Sequence, residues 1–496
     1  MIAELGALAA VAAAFFLRAV FIRRRGAERV DEYYWRLIAR AARLNRRPPY
    51  VLPGKYLLEE ENQYYPPLFG FVLSFVPERW IAARGPWLSH LPDALLIVAA
   101  LAVLPSAGVG AARIAAFVAV LVLAPAWTVY SAQLNPRSFG NLFFSAAMIL
   151  QVLAAGAPDT GAAAALWAGA AVSAALVVLS HKMTTQLMLV LWPFWAWALG
   201  AWEAALIPPA GIFIAALVTG PRFAARQWQA HADIVSFWHR HWRELGLHGF
   251  RHSPVYGDPA AGRSGAYHQP GLAGARSHLV TIAGYAPFNL ALVPLLIAGN
   301  GLPAWLWIWF GGTYAWAGLT LFVPALKCFG GGHLYAANAV VPGAIAWGFV
   351  LGSPTPAVFA LFAAGAGLTM VALWVAWVRG RDRDPATRHA IEALIAALPT
   401  EPARIAAFPL AAIEEIAFKT PHAVLWGAHS YGFDRLTPVF PVVTRQLSET
   451  LLRYRVDWLA WDEAYWPGGT DAVKNENISD ESPQRFGDWR LVRVKR

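Results

Sequence analysis

The sequence predicts an α-helical polytopic membrane protein of about eleven transmembrane helices, with a long first loop bearing amphipathic helices and a small C-terminal α/β domain. Three observations predict it. Of 496 residues, 57% are hydrophobic and only 14% charged, against roughly a quarter charged in an ordinary soluble domain. Apolar stretches near the ~20 residues that cross the hydrocarbon core fill most of Ala3–Val378. After Arg379 the composition becomes that of a soluble protein.

The expected spans are Ala3–Ile22, Leu88–Leu104, Ala112–Tyr130, Phe139–Ala155, Ala162–Leu179, Thr184–Leu199, Ala204–Thr219, Ala283–Ala298, Leu302–Leu326, Leu334–Leu351 and Ala357–Val378. The first has no basic leader, and Arg23-Arg24-Arg25 follow it where a signal peptide would have small residues. It is therefore expected to be retained as an anchor. Twenty-four Trp residues fit aromatic belts at the membrane–water interfaces.

The loop over residues 23–87 contains a helix with Tyr34, Leu37, Ile38, Ala41 and Leu44 on one face and Arg36, Arg40, Arg43 and Arg47 on the other. A basic amphipathic helix of this kind is expected to lie flat in the headgroup layer. Asp31 stands at its start, where a carboxylate caps free amides and meets the positive end of the helix dipole. Pro66–Val76 reads as a second surface-lying helix, opened by Pro66 and Pro67. Glu59-Glu60-Glu61 between them reads as a solvated charge run.

The membrane domain is expected over residues 1–380, with a second long loop over 220–282. The α/β domain follows over 381–496, beyond the polar linker Arg379–Pro385. In it Arg404–Phe408, Ala423–Gly427, Asp457–Trp461 and Trp489–Val494 read as strands, and Leu410–Lys419 and Thr444–Tyr454 as helices. Asn475–Gln484 is polar and expected to be mobile, and Asp462-Glu463 reads as a solvated turn. Cys328 is the only cysteine, so no intrachain disulfide can form. The net charge of +10 clusters beside the spans, which points to anionic or phosphorylated lipids and away from nucleic acid.

Alternating helices put every second connection on the same side. The first loop then shares its face with Asn135-Pro136-Arg137, His181-Lys182, the 220–282 loop, Lys327–His333 and the tail, while Arg113 is almost the only ionised group opposite. On the shared face Asp31 and Glu32 are candidate acid–base groups. Arg137, Lys182, Arg222 and Lys327 are candidate phosphate ligands, since Arg forks onto phosphate oxygens and Lys supplies a point charge. Simpler roles fit the same residues: a helix cap for Asp31, snorkelling span ends for Arg137 and Lys182, and hydrogen-bonded interface residues for His181 and His333. Two distant His do not suggest a metal site, and no metal or other cofactor is expected. The span interiors are almost free of ionisable residues, which counts against an ion-driven transporter.

Three segments in one loop carry a family resemblance: Asp31-Glu32-Tyr33-Tyr34-Trp35-Arg36-Leu37-Ile38-Ala39-Arg40, then Pro53-Gly54-Lys55-Tyr56, then Tyr65-Pro66-Pro67-Leu68-Phe69. In order and spacing the chain resembles the polyprenyl-phosphate-dependent glycosyltransferases of the GT-C superfamily, in the branch of protein O-mannosyltransferases and lipid A aminoarabinose transferases. Leu134–Gly140 and the Ser180–Thr184 turn are similar to short polar turns in related families. The likeness covers Ala3–Leu199 and extends to the later spans in pattern. The chain departs from the family in having Tyr64-Tyr65 where a Glu-Lys pair precedes the "PPL" helix, and in Glu59-Glu60-Glu61 upstream.

The resemblance implies sugar transfer from a polyprenyl-phosphate carrier to a lipid, glycan or protein acceptor, at the extracytoplasmic face of the cytoplasmic membrane. It implies Asp31 as base, Glu32 orienting it or binding sugar hydroxyls, and phosphate or substrate binding by Arg137, Lys182, Lys327 and neighbours among Tyr65, His181, Arg222 and His333. A carboxylate acting directly on the acceptor would invert the anomeric centre. The positive-inside rule argues for the opposite orientation but is weak for loops beyond about 60 residues. An oligosaccharide ligase or polymerase with a pyrophosphate-linked donor, relying on Arg and His of the 220–282 loop, and a lipid or solute transporter are the alternatives.

Overall fold

The computed structural model describes residues 2–25, 30–47, 52, 54–58, 64–106, 108–244, 257–258, 263–264, 271–298, 301–352, 355–379, 385–408, 412–427, 431–437, 447–464 and 466–495. Glu59-Glu60-Glu61 and most of the expected linker lie outside the described residues. The first loop holds α2 (Val30–Asn45), α3 (Leu68–Ser74) and α4 (Glu78–Arg84), after α1 (Ile2–Arg25). The helical body continues with α5 (Pro86–Ser106), α6 (Ala111–Leu123), α7 (Pro125–Ser131), α8 (Arg137–Ala155), α9 (Thr160–Ser180), α10 (Lys182–Leu199) and α11 (Ile207–Thr219). Next come α12 (Pro221–Arg240), the short pair β1 (Gly257–Asp258) and β2 (Arg263–Ser264), α13 (Gly271–Tyr285) and α14 (Pro287–Ile297). The body closes with α15 (Ala304–Phe322), α16 (Gly332–Ala336), α17 (Val340–Val350) and α18 (Pro356–Arg379).

Among the described residues five stretches are long and apolar enough to cross a bilayer: Pro86–Pro105, Arg137–Ala155, Thr160–Ser180, Trp202–Thr219 and Pro356–Val378. Gly274–Tyr285 and Pro287–Ile297, bent by 100°, make a sixth if they form one broken span. The chain is an integral membrane protein. Of the other expected spans, Ala3–Ile22 lies within α1 and Thr184–Leu199 within α10; the rest are interrupted, largely at prolines, which have no N–H to continue the helical ladder. Ala112–Tyr130 divides before Pro125, and Leu302–Leu326 passes into a 3-10 turn over Pro324–Phe329. Leu334–Leu351 is made of α16, a 3-10 turn over Ala337–Ala339, and α17. Irregular backbone of this sort is tolerated at membrane depth where protein surrounds it.

Small residues let the helices approach. A Cβ on Gly211 of α11 would lie 2.7 Å from the Cβ of Ala174 in α9, and Gly332 of α16 leaves no room for one against the Ala317 carbonyl of α15. The body is less free of charge than expected. Arg18 of α1 and Asp93 of α5 are 0% and 1% exposed and 3.7 Å apart. The Arg18 guanidinium donates to the Val122 carbonyl at 2.7 Å and to Thr128 Oγ1 at 2.8 Å, and Ser131 donates to Asp93. These residues come from α1, α5, α6 and α7, so an apolar pattern hides a polar knot that forms only through tertiary packing.

The first-loop helices also differ from expectation. α2 is buried over Glu32–Ala39, Ala41 and Ala42, so most of its length packs on protein, while Arg40 and Leu44 are exposed. Its arginines have protein partners: Arg36 pairs with Glu78 at 2.7 Å, Arg40 lies over the Phe418 ring at 4.3 Å, and Arg43 donates to the Ser74 and Val76 carbonyls at 3.0 and 2.7 Å. α3 packs across α2 at Gly70, where a Cβ would collide with Ile38.

The tail adds α19 (Pro385–Ala397), β3 (Arg404–Phe408), α20 (Ile413–Lys419), β4 (Ala423–Val424), α21 (Leu447–Arg453), β5 (Trp458–Asp462), α22 (Gly469–Asn475), β6 (Gln484–Phe486) and β7 (Trp489–Arg493). Its sheet has the order β4-β3-β5-β7-β6; β3 is parallel to β4 and β5, and β7 is antiparallel to β5 and β6. β6, which begins at the last residue of the stretch expected to be polar and mobile, forms a hairpin with β7 through Gly487 at φ 60°. The Asp462-Glu463 turn is structural: Glu463 accepts from Trp461 Nε1 at 3.1 Å and Thr470 Oγ1 at 2.8 Å.

The first loop is stitched to this sheet. Tyr56 pairs in parallel with Val424 at the β4 edge, with Leu57 N donating to the Val424 carbonyl and Leu58 N to the Leu425 carbonyl, both at 3.0 Å. Tyr56 also donates to the buried Glu414, and Tyr33 of α2 to Glu415 at 3.3 Å. A sheet edge that would otherwise offer unpaired backbone groups is thereby covered.

Candidate functional site

Four segments converge beside the first loop: the start of α2, the turn before α8, the joint between α9 and α10, and α12. The turn before α8 is held at several points. Glu32, buried in the first turn of α2, accepts from Leu134 N at 3.3 Å. Ser89 Oγ of α5 receives Asn135 N at 2.9 Å and donates to the Asn135 carbonyl at 3.0 Å. The Asn135 side chain accepts from Arg137 N at 3.0 Å, a local turn that fixes where the chain enters α8.

Tyr65 is the meeting point. Its ring lies 5.5 Å from Trp35 and 6.4 Å from Tyr34 of α2, and the Lys182 ammonium sits 5.1 Å from its centroid. Burial raises the Tyr65 phenol above its ordinary pKa; of the charges acting on it, Arg137 draws it down and Asp31 pushes it up. Asp31, Arg137 and Lys182, far apart in sequence, are therefore brought around one phenol.

Tyr65 and Lys182 open onto a cleft. Much of its wall is apolar, from Pro66, Val178, Trp228, Ala230 and Ile234; Gln186 and His231 add polar groups. His231 Nε2 is 2.9 Å from Gln186 Nε2, while Tyr335 Oη donates to Gln186 Oε1 and lies 2.9 Å from the Phe329 carbonyl. Burial, then the nearby Lys182 charge, pushes the His231 imidazole down to about 4, so it is neutral at neutral pH. A second, polar cleft of about 380 Å³ shares Tyr64, Ala230 and Tyr431 with the first and is lined by Arg226, Gln229, Asp233, Asp434 and Arg435.

The remaining sequence-predicted residues stand outside the lining of the apolar cleft. His181 is buried at the α9–α10 joint, with Nδ1 2.9 Å from Thr184 Oγ1, and Gly140 packs so closely that a Cβ there would be 2.8 Å from His181 Cβ. His333 is buried 5.2 Å from the Tyr285 ring, and burial, then Arg137 and His278, pushes its imidazole down to about 3. Lys327 lies over Trp242 with its centroid distance at 5.6 Å, and burial lowers its ammonium pKa. Arg222 is exposed near the start of α12.

His231, Gln186 and Tyr335 were missed. The signal for His231 was the seven-residue spacing of Phe223, Ala230 and Phe237, which marks α12 as a helix and puts Gln227, Ala230, His231 and Ile234 on one face. Gln186 had a weaker signal, as an amide inside an otherwise apolar run. Tyr335 had none, since aromatic residues fill the spans of this chain.

No family model matches the sequence, and no curated protein matches it either. Solved structures do match. ArnT from Cupriavidus metallidurans in the apo state aligns with a TM-score of 0.59 at 15% identity, covering 99% of this chain and 98% of that one. ArnT bound to undecaprenyl phosphate aligns at 0.56 with 13% identity, over 98% and 97% of the two chains. AglB, the archaeal oligosaccharyltransferase of Archaeoglobus fulgidus, in complex with an inhibitory peptide and a dolichol-phosphate, aligns at 0.54 with 13% identity over 95% and 71%. Both proteins are GT-C superfamily members, and the likeness to ArnT runs through helical body and tail alike. The chain has the GT-C fold.

Proposed function

We propose that the chain is a membrane glycosyltransferase that moves a sugar from a polyprenyl-phosphate carrier to an acceptor hydroxyl, with inversion, at the extracytoplasmic face. One observation carries the reading: a carboxylate and two cations from separate segments surround Tyr65 at the mouth of a largely apolar cleft. An apolar slot ending in fixed positive charge suits a prenyl phosphate, and the similar fold of ArnT has been captured with undecaprenyl phosphate.

In this reading the acceptor oxygen attacks the anomeric carbon while Asp31 takes its proton, and the bond from that carbon to the phosphate oxygen breaks. The phosphate leaves with the electron pair. It needs no proton, and Lys182 and Arg137 stabilise the charge that grows on it. Glu32 orients this machinery by holding the Arg137 turn. The polar cleft beyond Tyr64 and Tyr431 gives a hydroxyl-bearing acceptor a route to the same point.

The test is Asp31→Asn, assayed with radiolabelled prenyl-linked sugars. Loss of a positioned base costs about 10²–10⁴ in rate, so transfer should fall by at least about a hundredfold with expression and thermal stability kept. An active Asp31→Asn protein would remove the assigned base.

A further inference from the structure

We infer that the polar cleft binds the acceptor and that the acceptor is a neutral saccharide, seated between α12 and the tail segment 431–435. The inference deepens the proposed sugar transfer and rests on it.

α12 supplies one wall of the cleft. Arg226, Gln229 and Asp233, three and then four residues apart, fall on one face of the helix. Asp434 and Arg435 supply the tail's wall, so each side offers one carboxylate and one guanidinium. The two sides are tied together: Gly432 N donates to Asp233 Oδ2, and Arg240 of α12 pairs with Asp434 at 2.6 Å. Each lining arginine gives one N–H group to the protein, Arg226 to Gln229 Oε1 at 3.1 Å and Arg435 to the Leu58 carbonyl at 2.7 Å. These bonds anchor the guanidinium groups and leave further N–H donors on each.

Such a lining selects hydroxyls. A hydroxyl both donates and accepts, so neighbouring hydroxyls of a sugar ring can give protons to a carboxylate while they accept from a guanidinium. An anionic headgroup would meet Asp233 and Asp434, and a cationic segment would meet Arg226 and Arg435; like charge at short range disfavours both. A peptide added as a strand needs an open sheet edge, and the β4 edge beside the first loop is taken by Tyr56. Tyr64 and Tyr431, with ring centroids 6.1 Å apart, stand where the polar and apolar clefts meet. Their apolar bodies suit the C–H faces of a sugar and their hydroxyls suit its rim. Tyr64 precedes Tyr65, on which Asp31 acts, and this ties that end of the cleft to the assigned base.

The experiment uses the full chain in a non-glycosidic detergent, because alkyl glycosides would compete for the cleft. Binding is read on an array of neutral oligosaccharides beside an array of Ser/Thr peptides, and farnesyl phosphate affinity is measured on the same preparations. The chain should bind neutral oligosaccharides and not the peptides. Arg226→Met, and Asp233→Asn, which keeps an oxygen for Gly432 N, should each weaken the bound oligosaccharide by about tenfold, the value of one hydrogen bond to a charged group. Both should leave farnesyl phosphate affinity unchanged, which shows an intact fold. Lys182→Met should do the reverse. The bound oligosaccharide should also take label from the prenyl-linked sugar that supports transfer.

If no neutral oligosaccharide binds, or if both variants hold it as tightly as the parent chain, the inference falls; a Lys182→Met loss of farnesyl phosphate then leaves the transfer reading standing. Peptides bound in place of saccharides and weakened by the same variants would give the cleft to a protein acceptor and overturn it. A saccharide that binds but is never labelled fills the place of the donor's own sugar, and the acceptor assignment falls. If Lys182→Met leaves farnesyl phosphate affinity unchanged, the transfer reading loses its carrier site and the acceptor role falls with it.

Discussion

Asp31 and Glu32 are adjacent in sequence but point to different work. Glu32 is buried and spends a carboxylate oxygen on Leu134 N, whereas Asp31 is half-buried and acts on Tyr65. The two should therefore separate on mutation. Glu32→Gln keeps an accepting oxygen for Leu134 N, so transfer should persist where Asp31→Asn loses it. Glu32→Ala leaves that amide unmet and should lower thermal stability by about 1–3 kcal/mol, with transfer falling as the Arg137 turn loosens; paired melting curves and turnover assays check both. Asp31, Arg137, Lys182 and Tyr65 were legible because charge and aromatic residues in short polar turns stand out against an apolar chain. His181 and His333 stood out equally and proved to be packed at joints, because sequence shows that a polar residue is present but not which neighbour satisfies it.

At the scale of elements, periodicity identified β3, β5 and β7 to within a residue and the existence of α2, but it missed how much of α2 packs on protein. An amphipathic pattern marks two unlike faces, and here the basic face meets carbonyls, Glu78 and the Phe418 ring in place of lipid headgroups. The Phe418 ring that meets Arg36 and Arg40 belongs to the tail, whose approach no local pattern encodes. The crossing of α2 and α3 at Gly70 is correspondingly tight. Gly70→Val should overpack it and cost about 1–3 kcal/mol, read as a lower melting temperature. α12 was hidden inside a segment taken for loop because its apolar positions are diluted by Arg, Gln and His, although their spacing is regular.

Across the whole molecule, the buried Arg18–Asp93 pair ties α1 to α5 and, through Ser131 and Thr128, to α7. Removing one partner of a buried pair strands the other charge, at a cost of about 3–5 kcal/mol. Arg18→Met should therefore be strongly destabilising, and adding Asp93→Leu should restore much of the loss; thermal unfolding of the single and double variants measures it. Recovery that fails to appear would mean that the knot matters for more than its own charge balance. The order of helices was legible from hydropathy, whereas their breaks and bends depend on prolines whose effect is decided by packing.

The rung between Tyr56 and Val424 also constrains how the chain threads the bilayer. Backbone groups can pair only within a single aqueous compartment, so the polypeptide must traverse the lipid an even number of times between them. Every short or fractured helix between α5 and α18 must conform to that parity, and one crossing gained or lost would strand the two residues on opposite shores.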